Sequence, residues 1–286
     1  MVPDQYLIKR ERARGDVLLC TPVLSALKQK HPGAVFDFRT EYPQVLEGNP
    51  NVRRAGPIFD VRQYRHIISL EVAYEKMPCT HLIDAFKSGA ELSMGEALPV
   101  KRKLEMYPKA SHFAAVSNML SGLTNYIVIA PGPSAWPGRN WNELRWRILC
   151  GQLLRTSPVV LVGTGREYQL PNTYDLRGQT SYLDLAAVIK NARMFVGIDS
   201  FPAHVAGAME TPRVVLFGIT HARYILCDSP HTFPVESDPS HRFSGARHYV
   251  ERISSVRLGN PPRNPMDSIQ VYHVQSAVQK ALNVQR

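Results

Sequence analysis

The chain has 286 residues, 44% hydrophobic and 20% charged, a balance typical of folded globular proteins that excludes a disordered or fibrous chain. No stretch approaches the eighteen uncharged apolar residues of a membrane span, and MVPDQYLIKRERAR at the N-terminus is charged where a signal peptide would be apolar, so a cytoplasmic setting is expected. Basic residues exceed acidic ones by 34 to 24, a net charge of +10, which suits either an anionic partner or a solubilising surface.

In chain order, YLIKR (6–10) reads as a short strand and the run after RARGD as a helix. There Val23, Leu24 and Leu27 share a face, Thr21-Pro22 opens the helix and His-Pro-Gly closes it. AVFDFRT (34–40) alternates like a strand, EYPQVLEGNPNV reads as a short helix and a turn, and RHIISL (65–70) is another strand. Residues 71–104 show no sustained period, and a helical pattern resumes over 103–123. This alternation predicts a parallel sheet flanked by helices.

The second half repeats the scheme. Strands are expected at 125–132, 158–163, 194–199 and 213–218. Between them lie a helix with Asn140 and Glu143 as a capping box and a stripe of Trp141, Leu144 and Ile148, a helix capped by Ser181 and Asp184, and the small-residue helix FPAHVAGAM. Residues 219–265, rich in Pro, Ser, His and Arg, read as loop, and Val271, Val274, Val278 and Leu282 mark a terminal amphipathic helix. The expected division is a first domain over 1–122, a second over 123–265, and a helix over 266–286 that could pack back on the first.

The four cysteines, Cys20, Cys79, Cys150 and Cys227, form no CxxC pair and the ten histidines no HExxH, so neither disulfide nor metal site is signalled. The polar signals fall instead at strand ends, where helix N-termini offer free N–H groups. Gly15-Asp16 follows the first strand, and Asp16 is either a cap or a functional carboxylate. In APGPSAWPGRNW (130–141), Gly132, Ser134 and Arg139 either cup a phosphate or form an ordinary Pro/Gly loop. VGTGRE (162–167), with Gly163, is only a fragment of a glycine fingerprint. In GIDSFPAH (197–204), Asp199 or Ser200 is an N-cap or a ligand contact, and His204 a packed histidine or a donor.

Together these elements resemble glycosyltransferase family 9, the ADP-heptose:lipopolysaccharide heptosyltransferases. The N-terminal signature is GDVLLCTPVLSALKQKHPGAVFDFRT followed by NPNV, and the C-terminal one is DLRGQTSYLDLAAVIKNARMFVGIDSFPAHVAGAMETPRVVLFGIT. The resemblance implies two Rossmann-like α/β domains facing a central cleft, the GT-B arrangement. It implies Asp16 as general base, a role an ordinary carboxylate, ionised at neutral pH, can fill. It places the nucleotide-sugar donor on Gly132, Ser134, Arg139, Gly163, Asp199, Ser200, Phe201 and His204, and the acceptor on Arg10, Arg12, Arg14 and Gly15.

Phe201 stands where the family has glycine, a change expected to narrow the approach of backbone to ligand. The implied activity is inverting, metal-independent transfer of a sugar, most simply heptose, to a lipopolysaccharide-core-like acceptor, with no cofactor. The partners implied are the nucleotide sugar, an anionic glycan or glycolipid and peripherally the inner membrane face, with nucleic acid a weaker alternative. The other readings are the same chemistry with another nucleotide sugar on nucleic acid, protein or a natural product, or a non-catalytic binding module.

Overall fold

The computed structural model describes residues 4–77, 79–134, 136, 138–241 and 264–283. The chain divides into two compact units, Met1–Tyr107 and Pro108–Arg286.

The first unit is a four-stranded parallel sheet in the order β3-β2-β1-β4, from β1 (Gln5–Lys9), β2 (Val35–Arg39), β3 (Arg54–Gly56) and β4 (His66–Ser69). Leu7, Ile8 and Phe38 are fully buried, as expected of strands covered on both faces. The expected single helix after β1 is two, α1 (Arg14–Leu19) and α2 (Thr21–Lys30), which meet at Cys20, with Pro22 in the first turn of the second. Because β2 and β3 lie on one side of β1 and β4 on the other, the chain reverses direction across β1, and a crevice opens at the carboxyl ends of β1 and β4. Asp37 on β2 is buried and held by Arg53 and by the Tyr64 hydroxyl, which donates at 2.6 Å.

Residues 71–104, which show no period to the eye, contain α3 (Ala73–Lys76) and α4 (Leu82–Met94). The signal was sparse but present: Ile83, Phe86 and Ala90 recur at i, i+3 and i+7 and are buried. The helix expected over 103–123 is confined to α5 (Ala110–Met119), just after Pro108. It packs on α7 (Tyr182–Lys190) and so belongs to the second unit, which sets the division at Tyr107 rather than at 122.

The second unit has six parallel strands in the order β10-β9-β8-β5-β6-β7. They are β5 (Ile127–Ala130), β6 (Val159–Leu161), β7 (Tyr174–Asp175), β8 (Met194–Ile198), β9 (Arg213–Phe217) and β10 (Thr232–Glu236). This is the doubly wound order, with its reversal between β5 and β8. Helix α6 (Glu143–Leu153) is capped by Asn142, which accepts from the amides of Leu144 and Arg145, and not by Asn140. Its buried stripe is Trp146, Leu149, Cys150 and Leu153, while Leu144 and Ile148 face solvent and Trp141 precedes the helix. The Ser181–Asp184 capping box at α7 is as expected.

The tail read as loop holds α9 (Ala222–Ile225) and the edge strand β10, with residues 242–263 outside the described range. The terminal helix α10 (Val271–Asn283) buries Val274, Ala277, Val278 and Ala281 in the core of the second unit, against β9, β10 and α6. It completes that unit's core. Between β8 and β9 lies α8 (Phe201–Ala208). Arg213, entirely buried at the start of β9, donates to the carbonyls of Ala203 and Cys227 and to the Thr232 hydroxyl. Gly207 leaves it room, since a Cβ there would collide with the guanidinium.

Candidate active site

In the first unit the predicted residues gather at the crevice beside β1. Arg10 leaves the strand, and Ala13, in the left-handed region at φ 64°, turns the chain into α1. This turn brings Asp16, in the first turn of α1, back onto Arg10, and the two form an ion pair. Arg10 is only 5% exposed. Its Nη2 also donates to the Tyr74 hydroxyl at 3.2 Å and its Nη1 to Glu71 Oε2 at 3.4 Å, while the Tyr74 hydroxyl lies 3.4 Å from Asp16 Oδ2. Burial, and next the Asp16 charge, push the Tyr74 phenol well above its ordinary value, so it serves as a neutral donor. Arg10 is thus committed inside the protein, which corrects its expected role as an acceptor contact. Arg12 is exposed with Glu41 at 3.4 Å, and Arg14 and Gly15 are half-buried at the start of α1.

In the second unit the site forms where β5 and β8 part. Arg139, in the loop after β5, reaches Asp199 just past β8: Nη2 lies 3.0 Å from Oδ2 and Nη1 donates to the Asp199 carbonyl at 3.2 Å. Asp199 is 2% exposed, and burial raises its pKa despite the opposing pull of Arg139 and then of the Thr220 hydroxyl. Ser200 is the N-cap residue of α8, but its hydroxyl turns back to the Ile198 carbonyl at 3.2 Å instead of capping. The first turn of α8 therefore presents amides and a positive dipole end beside Arg139. His204 is buried in that helix.

The Arg139 loop is pinned from several sides. Asn140 bridges it, accepting from the Ser134 amide at 2.6 Å and donating to the Ser134 carbonyl at 3.0 Å. Asn264 donates to the Asn140 carbonyl at 2.8 Å, and Trp141 donates to the Ile269 carbonyl at 2.8 Å. Gly132, at φ 87°, has no space for a side chain against Ile198. Gly218, at the end of β9, lies so close to the Gly138 carbonyl that a Cβ there would collide with it. Ala135 and Pro137 lie outside the described residues.

Two predicted donor contacts sit differently from expectation. The loop after β6 closes on Glu167, whose carboxylate accepts from the amides of Thr164 and Gly165, both at 2.7 Å, so the backbone beside Gly163 is already engaged. Phe201 is 6% exposed and packs edge-on against Tyr182 with centroids 5.2 Å apart. Its ring points into the helix layer, so the substitution for glycine fills core space instead of crowding the end of the strand.

The sequence profile described as glycosyltransferase family 9 (heptosyltransferase) matches residues 71–226, over half of the chain. The chain is also 47% identical over 282 residues, covering 73% of this chain and 81% of the relative, to lipopolysaccharide heptosyltransferase 3 of Escherichia coli strain K12. This chain belongs to glycosyltransferase family 9. Among solved structures, a family 9 glycosyl transferase of Veillonella parvula superposes with a TM-score of 0.78 at 17% identity, covering 99% of both chains. A heptosyltransferase of E. coli solved with ADP gives 0.65 at 16% identity, covering 97% of this chain and 99% of that one. The fold is the GT-B fold of family 9, and the chain is a glycosyltransferase.

Several residues beside the predicted groups of each unit escaped sequence reading. Glu71 and Tyr74 lie in the stretch without evident period, although Glu71 directly follows a recognised strand, the position at which α/β sheets place ligand-facing groups. Gly218 and Thr220 also follow a strand, and that same rule would have marked them.

Proposed function

We propose that the chain moves a heptose from an ADP-linked donor to a hydroxyl of a lipopolysaccharide-core acceptor, with inversion at the anomeric carbon and without a resident metal. The observation that carries this is Arg139, fixed beside the N-terminus of α8 at the strand reversal of the second unit. A diphosphate leaving group gains charge as the glycosidic bond breaks. A guanidinium and a helix N-terminus are the groups that stabilise such charge without reorganising. Family membership and the names of the relatives, one a lipopolysaccharide heptosyltransferase and one solved with ADP, support heptose, ADP and lipopolysaccharide.

In this reading Asp16 takes the proton of the acceptor hydroxyl while that oxygen bonds to the anomeric carbon. The bond from that carbon to the diphosphate oxygen breaks, and ADP departs with the electron pair. One displacement inverts the centre. Asp199, buried and paired, positions Arg139 and leaves phosphate contact to the arginine and the α8 amides. Arg12, exposed on the loop before α1, would meet an anionic acceptor. Association with the inner membrane face is part of the same proposal.

Calorimetry with ADP, UDP, GDP and CMP on the purified protein tests the donor. Binding of ADP in preference to the others, weakened in Arg139→Ala and unchanged by EDTA, is the expected result. A preference for UDP or GDP would replace ADP as the donor nucleotide. Asp16→Asn should lower transfer by about 100- to 10,000-fold, to a residual rate, while nucleotide binding persists, and full transfer by that variant would remove Asp16 from the role of base.

A further inference from the structure

We infer that Arg10 is a positioning residue for Asp16, a strut that ties the proposed base to Glu71. The inference rests on Asp16 acting as the base.

Arg10 is held by groups from separate parts of the first unit. Asp16 comes from α1, Glu71 from the segment after β4, and Tyr74 from α3. The guanidinium lies against two rings, with its Cζ 5.2 Å from the Tyr74 centroid and 5.5 Å from that of Phe86 on α4. Glu71 is itself anchored, because its Oε1 accepts from the Glu11 amide, the residue next to Arg10. The chain just after the strut is therefore tied to the carboxylate that the strut touches. Arg10 Nη2 and the Tyr74 hydroxyl both reach Oδ2 of Asp16, which restricts the rotation of the carboxylate about its stem.

The competing explanation is a buried ion pair that serves folding alone. Such pairs contribute little net stability relative to apolar groups of similar volume. A methionine between the rings of Tyr74 and Phe86 would fill the same space. Holding a base in its reactive geometry is different, since a displacement of about 1 Å can cost on the order of 100-fold in rate.

The test is a double-mutant cycle on the full chain, with donor and acceptor KM and kcat measured alongside ADP binding and thermal melting. Arg10→Met should lower kcat about 100-fold and leave the donor KM and ADP affinity within about 2-fold. Arg10→Lys, which keeps charge but cannot span two carboxylates, should recover part of the loss. Glu71→Gln should lower kcat by about 3- to 10-fold. The deciding comparison is Asp16→Asn with and without Arg10→Met: if Arg10 acts through Asp16, the pair is no slower than Asp16→Asn alone.

Folded Arg10→Met with kcat within about 3-fold of the parent would overturn the inference, as would losses that multiply in the double variant. If Asp16→Asn itself retains full activity, the base reading fails first and the strut falls with it, an outcome distinct from an inactive Asp16→Asn beside an active Arg10→Met. Should Arg10→Met not fold, the same cycle is run with Glu71→Gln, where multiplying losses again decide against the strut.

Discussion

Arg139 holds both the side chain and the backbone of Asp199, at 3.0 Å and 3.2 Å, so one guanidinium fixes the point at which β8 gives way to α8. Arg139→Ala should therefore act twice, removing a cation from the proposed donor site and leaving a buried carboxylate without its paired charge. We expect ADP affinity to fall by about 10- to 100-fold, the range of one charge-assisted contact, together with a lower melting temperature. Calorimetry and a thermal melt on the same preparation check both. Unaltered affinity would place the diphosphate elsewhere.

A pair of glycines separates close packing from helix propensity. At Gly218 a Cβ would collide with the Gly138 carbonyl, so Gly218→Ala must push the Arg139 loop aside, at about 1–3 kcal/mol and with weaker nucleotide binding. Gly151, inside α6, has open space around it. Gly151→Ala should stabilise by about 0.5–1 kcal/mol with nucleotide binding unchanged. Urea melts of the two variants read the opposite signs.

Phe201 gives a third outcome. Its ring is buried against Tyr182, so Phe201→Ala should cost about 3–5 kcal/mol, and restoring the glycine typical of the family should cost at least as much. Neither change is expected to tighten ADP binding. A gain in affinity with little loss of stability would show that the ring had obstructed the donor.

Asp37 gives the first unit a dependence on pH. Its burial raises the pKa, but hydrogen bonds from Arg53 and Tyr64 and the charges of Arg53 and Arg54 outweigh this, and the net shift is downward. A carboxylate depressed by folding contributes stability that is fully present above its unfolded value, about 3.9, and is lost as pH falls through the lower folded value. Asp37→Asn should therefore destabilise at pH 7, and the gap between variant and parent should close in melts carried below about pH 3.9. A gap constant across that range would assign the effect to packing.

The sheets were legible because parallel strands buried on both faces read as short apolar runs, as β5, β6, β8 and β9 do. What escaped was set by partners distant in sequence. Edge strands β3 and β7 are too short to carry a pattern. The N-cap of α6 moved from Asn140 to Asn142 because Asn140 is used inside its own loop. The strand-end rule pointed to Asp199 and Ser200, directly after β8, and to the loops after β1 and β5 that lead to Asp16 and Arg139. Arg10 was read as reaching outward because a sequence shows a charge but not the two carboxylates and two rings that enclose it.

The burial of Arg213 and Arg10 bears on how the protein meets its surroundings. The formal charge of +10 counts both, yet Arg213 is fully enclosed and Arg10 nearly so. Long-range attraction toward a phosphorylated surface depends on where charges sit, and counterions screen exposed ones over about 8–10 Å near physiological ionic strength. Burial leaves the net charge sensed at long range unchanged, but close contact with an anionic glycolipid is open only to exposed groups such as Arg12, so the ionic-strength dependence of that association should count fewer charges than the sequence total implies.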